Sequence, residues 1–318
     1  MSKVSKEVIK EAHNRIKPFI NRTPILKSDS INQIVGAELF FKCENFQKVG
    51  AFKYRGATNA LLQLAQAEKP KAVATHSSGN HAQALALAAR EQGVKAYIVM
   101  PNNSPKVKVN AVKGYGAEVT FCEPNLEARE STLDKIVAET GAVFIHPYDR
   151  NDIIAGQGTA CLELVEEVSE LDTIVSPVGG GGLLSGTAIY AKSKRIEVYG
   201  AEPKGADDAK KSLNEGQIIP SVNPNTICDG LLTSLGKLNF EYISDNVDDI
   251  WLANDEEILS AMRLIYERMK IVVEPSSAVT LAAIINNKKM LKGKKIGVIL
   301  SGGNVDLDSF FDGYEPKS

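Results

Sequence analysis

No apolar run in this sequence approaches the roughly 20 residues that a membrane span requires, so no membrane is expected as a partner. The N-terminus, Met1 to Glu7, passes straight into a charged helical pattern and lacks the apolar core of a signal peptide. Cysteine is scarce. Cys43, Cys122, Cys161 and Cys228 are widely spaced and offer neither a C-x-x-C pair nor metal-ligand spacing. The first three lie in apolar runs, which predicts buried free thiols in a reducing, cytoplasmic setting. Charge of one sign is missing as well. The 37 Lys and Arg nearly balance 39 Asp and Glu, the formal net charge is −2, and no basic stripe is present. Nucleic acid is therefore not an expected partner. Internal repeats and low-complexity segments are also absent.

What is present is an ordinary globular balance, 43% hydrophobic and 24% charged over 318 residues. That suffices for two compact domains or one large α/β domain. Residues 5–17 have helical spacing and 38–42 read as a strand. From residue 71 short apolar strands alternate with helices. Strands are expected at 72–75, 96–100, 118–122, 143–146, 173–178, 196–201 and 295–300. Helices are expected at 81–92, 104–114, 126–139, 151–168, 183–192, 255–269 and 276–286. Residues 214–248, rich in Asn, Pro and Gly, read as a long and partly irregular connection. Continuous apolar strands alternating with helices argue for parallel sheet covered on both faces.

The stretch from Asn45 to Ala57 sets one lysine, Lys53, behind a glycine turn and ahead of a helical run, Thr58 to Ala67. Outward-facing backbone N–H groups and the neighbouring Arg55 are expected to favour its uncharged, nucleophilic form, the setting of a Schiff-base lysine. A solvated surface lysine is the plainer reading of the same stretch.

Three loops follow strands: Ser77 to His81, Gly179 to Gly182, and Ser301 to Asn304. Ligands of open parallel sheets bind outside the carboxyl ends of the strands, so these loops can converge. Four glycines before a helix let backbone N–H groups approach an anion. No Gly-Lys-Ser/Thr follows, and Leu184 stands where the dinucleotide fingerprint needs its third glycine. A phosphate cup for a small ligand remains, beside the alternative of a tight turn packed on the sheet. Ser77-Ser78-Gly79-Asn80-His81 suits a carboxylate, or else Ser78 or Asn80 simply caps the following helix. His81 is given no catalytic role.

These motifs occur in the order and spacing of one family. The chain resembles serine racemase and the short serine/threonine dehydratases of the fold-type-II (tryptophan synthase β-like) pyridoxal-phosphate enzymes, from about residue 5 to 312. The resemblance implies an α/β fold of two open, mostly parallel-sheet domains with the active site between them. Residues 1–69 and 149–318 would form the larger cofactor-binding domain. Residues 70–148 would form a small mobile domain that closes Ser77 to Asn80 onto the site.

It also implies roles. Lys53 would carry pyridoxal 5'-phosphate and act as base on one face of the substrate Cα. Phe52 would pack beside the ring and Asn80 would bond the ring hydroxyl. Gly179, Gly180, Gly181 and Gly182 would hold the phosphate, and Ser301 would meet the pyridine nitrogen. A serine there does not force that nitrogen to stay protonated, which weakens the electron sink and suits loss of a β-hydroxyl. Ser78 matches the second acid/base, opposite Lys53. Two bases on opposite faces are what racemisation needs, whereas dehydration needs one. Ser77, Ser78, Asn80 and His81 would line the substrate.

Glu202, the Ala206 carbonyl and Asp208 match a divalent-cation segment whose oxygen donors suit Mg²⁺, Mn²⁺ or Ca²⁺. A solvated acidic turn is the alternative. Ala51 and Ala82 replace other small residues of relatives, and Tyr148 stands where many carry Asn. Lys108 and Arg129 match basic positions facing the far end of the substrate. With Arg150 they could clamp a β-carboxylate, which would admit 3-hydroxyaspartate or aspartate beside serine and threonine. The same charges could equally sit in surface ion pairs.

The expected activity is dehydration to a 2-oxo acid and/or racemisation of a small hydroxy-amino acid. The competing readings are β-replacement of the cysteine synthase kind and a non-catalytic phospholigand-binding protein. The resemblance further implies a homodimer and leaves a nucleotide effector open.

Overall fold

The computed structural model describes residues 3–104 and 106–306. Helix α1 (Lys6–Ile16) starts at Ser5, whose hydroxyl accepts from the Val8 N–H. Strand β1 (Ile25–Leu26), helix α2 (Asp29–Val35) and strand β2 (Glu38–Cys43) lead to helix α3 (Lys53–Ala67). The alternation follows: β3 (Ala72–His76), α4 (Asn80–Glu91), β4 (Lys95–Pro101), α5 (Lys106–Gly114), β5 (Glu118–Cys122), α6 (Leu126–Thr140) and β6 (Val143–Phe144). Next come α7 (Asn151–Glu167), β7 (Thr173–Pro177), α8 (Gly182–Lys192), β8 (Glu197–Pro203), α9 (Asp208–Glu215), α10 (Lys237–Asn246) and β9 (Asp249–Ala253). Then follow α11 (Asp255–Met269), α12 (Pro275–Asn286), α13 (Lys288–Leu291) and β10 (Lys295–Leu300).

The strands form two sheets, ordered β1-β2-β10-β7-β8-β9 and β5-β4-β3-β6. All pairings are parallel except β1 with β2. The apolar runs are explained by this burial: every residue of β7 is buried, and in β10 all but Lys295. Strand β5 lies at an edge and is correspondingly exposed along Glu118 to Phe121.

Strand order decides where a ligand can enter. In the smaller sheet the chain runs outward from β3 through β4 to β5, then returns to place β6 on the other side of β3. In the larger sheet it runs from β7 through β8 to β9, then places β10 on the other side of β7. Each reversal opens a crevice at the carboxyl ends of its strands, where adjacent crossovers diverge. The loops after β3, β7 and β10 are those singled out from the sequence.

The strands and most helices fall where the pattern places them, with informative differences. Helix α3 begins at Lys53, five residues before Thr58, so the lysine is helical. The segment 214–248 contains α10. Helix α2 and strand β9 were not foreseen, and β6 stops at Phe144 because the following residues turn into a loop. Pro105, expected near the start of α5, and the tail after residue 306 lie outside the described residues. The four cysteines are buried and free. No helix among the described residues is long and apolar enough to cross a membrane.

Helices α3 and α7 cross at near contact. A Cβ on Gly156 would lie 2.6 Å from the Gly56 Cα, so both positions require glycine. Beside this crossing sits a buried ionic cluster. Arg55 makes two forks: Nε and Nη2 to Glu44 at 2.7 and 2.8 Å, and Nη1 and Nη2 to Glu163 at 2.9 and 2.8 Å. Lys42 Nζ donates to Glu163 and to the Thr23 carbonyl, both at 2.7 Å. All four charged residues are at most 1% exposed. Two acids balance two bases, and the cluster joins β2, α3 and α7.

Removing one member leaves a buried charge uncompensated. Arg55→Ala should lower unfolding free energy by about 3–5 kcal/mol. Lys192→Ala, which breaks the part-exposed Lys192–Asp248 pair, should cost less than about 1 kcal/mol. Urea denaturation of the two variants checks the contrast; equal losses would contradict it.

Candidate active site

Lys53 opens α3, and Nζ donates to the Pro147 carbonyl at 2.9 Å. The ammonium lies 5.2 Å from the Phe52 ring centre and 5.9 Å from that of Tyr148. Burial lowers its pKa to about 8. The expected part for Arg55 is not found: its guanidinium turns away into the ionic cluster and is neutralised by Glu44 and Glu163. Desolvation alone accounts for the reactive lysine.

The lysine stretch is pinned to the loop after β10. The Phe52 N–H donates to the Ser301 carbonyl at 2.9 Å, the Gly303 N–H to Gly50 at 2.9 Å, and Ala51 bridges Gly302. Ser301 is buried, with Oγ 3.1 Å from Ser277 Oγ. Lys53 and Ser301 are thus brought together by main-chain bonds.

The loop after β3 reaches the same place. Asn80 Nδ2 donates to Glu274 at 2.9 Å, and its Oδ1 accepts from Asn304 Nδ2 at 2.9 Å. The capping alternative fails here. The helix cap is Gly79, which has no side-chain bond, and Asn80 is the first helical residue. Ser77 Oγ accepts from the Gly79 N–H at 3.3 Å, and Ser78 Oγ has no hydrogen-bond partner among the described residues. His81 is buried, with Nε2 3.3 Å from the Ile145 carbonyl. Burial and then the Lys53 charge hold its pKa well below the usual value, so the ring is neutral.

Gly179 to Gly182 run from the end of β7 into α8. Gly181 has φ +96°, and a Cβ on Gly180 would lie 2.4 Å from the Tyr148 ring. Crowding therefore demands glycine here, as the tight-turn reading held. The same loop also presents the N-terminus of α8, where unpaired N–H groups and the helix dipole favour an anion. Both readings apply to one backbone.

Of the three cations considered for the far end of the substrate, two have carboxylate partners. Arg150 is forked onto Asp152 and donates to the Phe144 carbonyl at 2.9 Å. Lys108 is paired with Asp229. Arg129 has no carboxylate partner among the described residues, and its Nε is buried without an acceptor. An unpaired buried guanidinium N–H is costly, and an anion would relieve it.

Glu202 lies near the end of β8 and accepts from the Ala209 and Lys210 N–H groups, both at 2.9 Å. Asp208 starts α9, and its Oδ2 is buried without a partner. Burial raises the carboxyl pKa of Glu202 to about 8 and of Asp208 to about 6. Among the described residues no three His, Cys, Asp or Glu side chains gather as a ready cation cage. The third donor expected here is a main-chain carbonyl.

Glu274 and Ser277 were missed from sequence. Glu274 is buried, and desolvation, followed by Asp229, raises its pKa to about 7. A carboxylate directly after the apolar Ile271-Val272-Val273 and before a helix-starting proline was the available signal.

Comparison with known proteins identifies the family. The family model for pyridoxal-phosphate dependent enzymes matches residues 16–302. The chain is 53% identical over 315 residues to the serine racemase of Dictyostelium discoideum, covering 97% of each. It is 51% identical to a beta-hydroxyaspartate dehydratase of Paracoccus denitrificans, covering 93% of this chain and 95% of that one. The crystal structure of a threonine deaminase from T.th. superposes with a TM-score of 0.90 at 41% identity, covering 95% of this chain and 99% of that one. The two parallel-sheet units are those of the fold-type-II pyridoxal-phosphate enzymes.

Burial disfavours the ammonium, so Lys53 should lose its proton early as pH rises. In cofactor-free protein its acylation by an amine reagent should reach half-maximum near pH 8, against about 10.4 for exposed lysines. Peptide mapping across a pH series checks this. A half-point above 10 would remove the desolvation argument.

Proposed function

The chain belongs to the pyridoxal-phosphate dependent enzymes, and from that premise we propose how its own residues divide the work. It is a pyridoxal-phosphate-dependent racemase or ammonia-lyase of small hydroxy-amino acids. One observation carries the assignment of roles: a lysine of lowered basicity is tied by main-chain bonds to Ser301, beside a glycine loop at a helix N-terminus.

Those residues fit the cofactor. Lys53 would be its attachment point, and the amides of Gly179 to Gly182 would hold its phosphate. Phe52 would pack beside its ring, Ser301 would serve the ring nitrogen, and the Asn80 amide would serve the ring hydroxyl. Both Asn80 Nδ2 contacts fall on the one Glu274 carboxylate, which leaves an N–H for that purpose. When bound, the cofactor supplies the electron sink that acidifies the substrate Cα–H. Residues 70–148, which carry the smaller sheet, close the Ser77–Asn80 loop over the substrate.

Lys53 takes or returns the Cα proton on one face. Ser78, whose hydroxyl has no protein partner among the described residues, serves the opposite face, while Ser77 and the His81 end of the loop receive the substrate carboxylate. Arg129 receives a side-chain carboxylate, which supports 3-hydroxyaspartate or aspartate as substrates beside serine and threonine. Lys108 contributes only if Asp229 lets it go. The orphaned Asp208 Oδ2, with Glu202 and the Ala206 carbonyl, supports a Mg²⁺, Mn²⁺ or Ca²⁺ site.

A panel of amino acids assayed for both 2-oxo acid and opposite enantiomer tests the reading. Borohydride reduction of the holoenzyme should fix the cofactor onto Lys53. An unmodified Lys53 would refute the site assignment.

Three variants refine it. Arg129→Ala should lower kcat/KM for 3-hydroxyaspartate by about 10–150-fold, the loss of a charge-assisted contact, and leave serine within about threefold. A parallel fall would sink the carboxylate role. Ser78→Ala should abolish racemisation while one enantiomer is still dehydrated; equal loss of both would deny it the second face. Mg²⁺ should raise the melting temperature of the parent protein but not of Asp208→Ala.

A further inference from the structure

Four rings form a row from the end of β3 to the lysine. His76 stacks on Phe144 at 5.8 Å, Phe144 meets His146 at 5.7 Å, and His146 meets Tyr148 edge-on at 4.6 Å. The neighbouring Pro147 carbonyl is the acceptor for Lys53 Nζ. His146 is therefore one residue from the group that the lysine touches, and its ring packs on that of Tyr148, whose centre lies 5.9 Å from Lys53 Nζ.

Its imidazole is held in one state. Nδ1 accepts the Asp149 N–H at 2.9 Å and lies 3.3 Å from the Tyr148 N–H. A ring nitrogen facing two fixed N–H donors has no room for a proton of its own, so the neutral ring carries its proton on Nε2. Asp149 cannot swing away to change this. Its carboxylate accepts the Lys237 and Leu238 N–H groups at the start of α10, at 3.1 and 3.0 Å. The groups around the ring also oppose a cation. Burial, then His76, Lys53 and Arg150, push its pKa down to about 4. On the opposite edge, Nε2 has no protein hydrogen bond among the described residues, and the residue is partly exposed.

We propose that His146 is a further catalytic residue of the elimination reaction, whose neutral Nε2–H donates a hydrogen bond to the oxygen on the substrate β-carbon. The proposal rests on the functional reading above and deepens it. In dehydration the Cα–H proton is removed, its electron pair forms the Cα–Cβ double bond, and the Cβ–O bond breaks with its pair going to oxygen. The oxygen leaves as water, carrying a proton equivalent to the one taken from Cα. His146 is not that proton's source, because an imidazolate would result. It stabilises negative charge building on the leaving oxygen, and it adds no positive charge beside Lys53.

Two measurements test this. In cofactor-free protein, ¹⁵N-labelled His146 should show an unprotonated Nδ1 and a protonated Nε2 from pH 6 to 8. In the holoenzyme, His146→Phe should slow 2-oxo acid formation from serine by about 10–100-fold. Elimination from β-chloroalanine should stay within about threefold, because chloride departs without a donor. His146→Gln, which restores an N–H, should recover most of the serine activity. A proton on Nδ1, or equal losses on serine and β-chloroalanine, would overturn the proposal. If the parent holoenzyme acted on neither substrate, the functional reading would fall and the donor role with it, while the tautomer would still be decided by the NMR spectrum.

Discussion

The double fork of Arg55 onto Glu44 and Glu163 is the contact on which the site's geometry depends. One residue separates Arg55 from Lys53 on the same helical turn, so fixing one guanidinium fixes the start of α3. Glu44 leads out of β2 and Glu163 lies on α7, so the helix is held against both the end of β2 and its neighbouring helix. A buried ionic cluster contributes little net stability over a hydrophobic one. What it adds is direction: a guanidinium fork accepts two carboxylates in one orientation only. The Gly56–Gly156 approach leaves no slack for the helix to roll.

With the helix fixed, the titratable groups of the site are shifted chiefly by burial. Lys53, His81 and His146 are all made less basic, each chiefly by burial. Glu274, the nearest carboxylate in the Asn80 network, is made less acidic by the same cause. Proton-transfer groups poised near neutrality and neutral donors follow from desolvation, with no opposite charge beside them. This differs from the ionic cluster a few residues away, where opposite charges compensate one another. One helix thus separates a cluster of paired charges from a lysine whose basicity is lowered by burial alone.

Most of the scaffold was legible because parallel sheet is written as apolar runs with glycine or proline stops. Strands β5 and β10 and helix α11 fall where the pattern set them. Helix α10 was hidden because its helical start depends on Asp149, distant in sequence, accepting its first N–H groups. For the same reason the local expectation that Arg55 acts on Lys53 failed: adjacency along the chain is not adjacency across a helix. The loops after β3, β7 and β10 were visible as motifs, and strand order explains why they meet. Glu274 was not visible, because its partners are an amide and a main-chain N–H brought by other segments.

The site also bears on how two reactions share one centre. Racemisation and dehydration both begin by removing the Cα proton and diverge in what happens next. Return of a proton to the far face needs a donor there, and only Ser78 is proposed in that place. Departure of the β-oxygen needs a partner on the side-chain side, the part proposed for His146. Ser78 follows β3, whereas the Tyr148 segment follows β6 and is held by Asp149 to α10 and by Asn239 to the Tyr148 carbonyl.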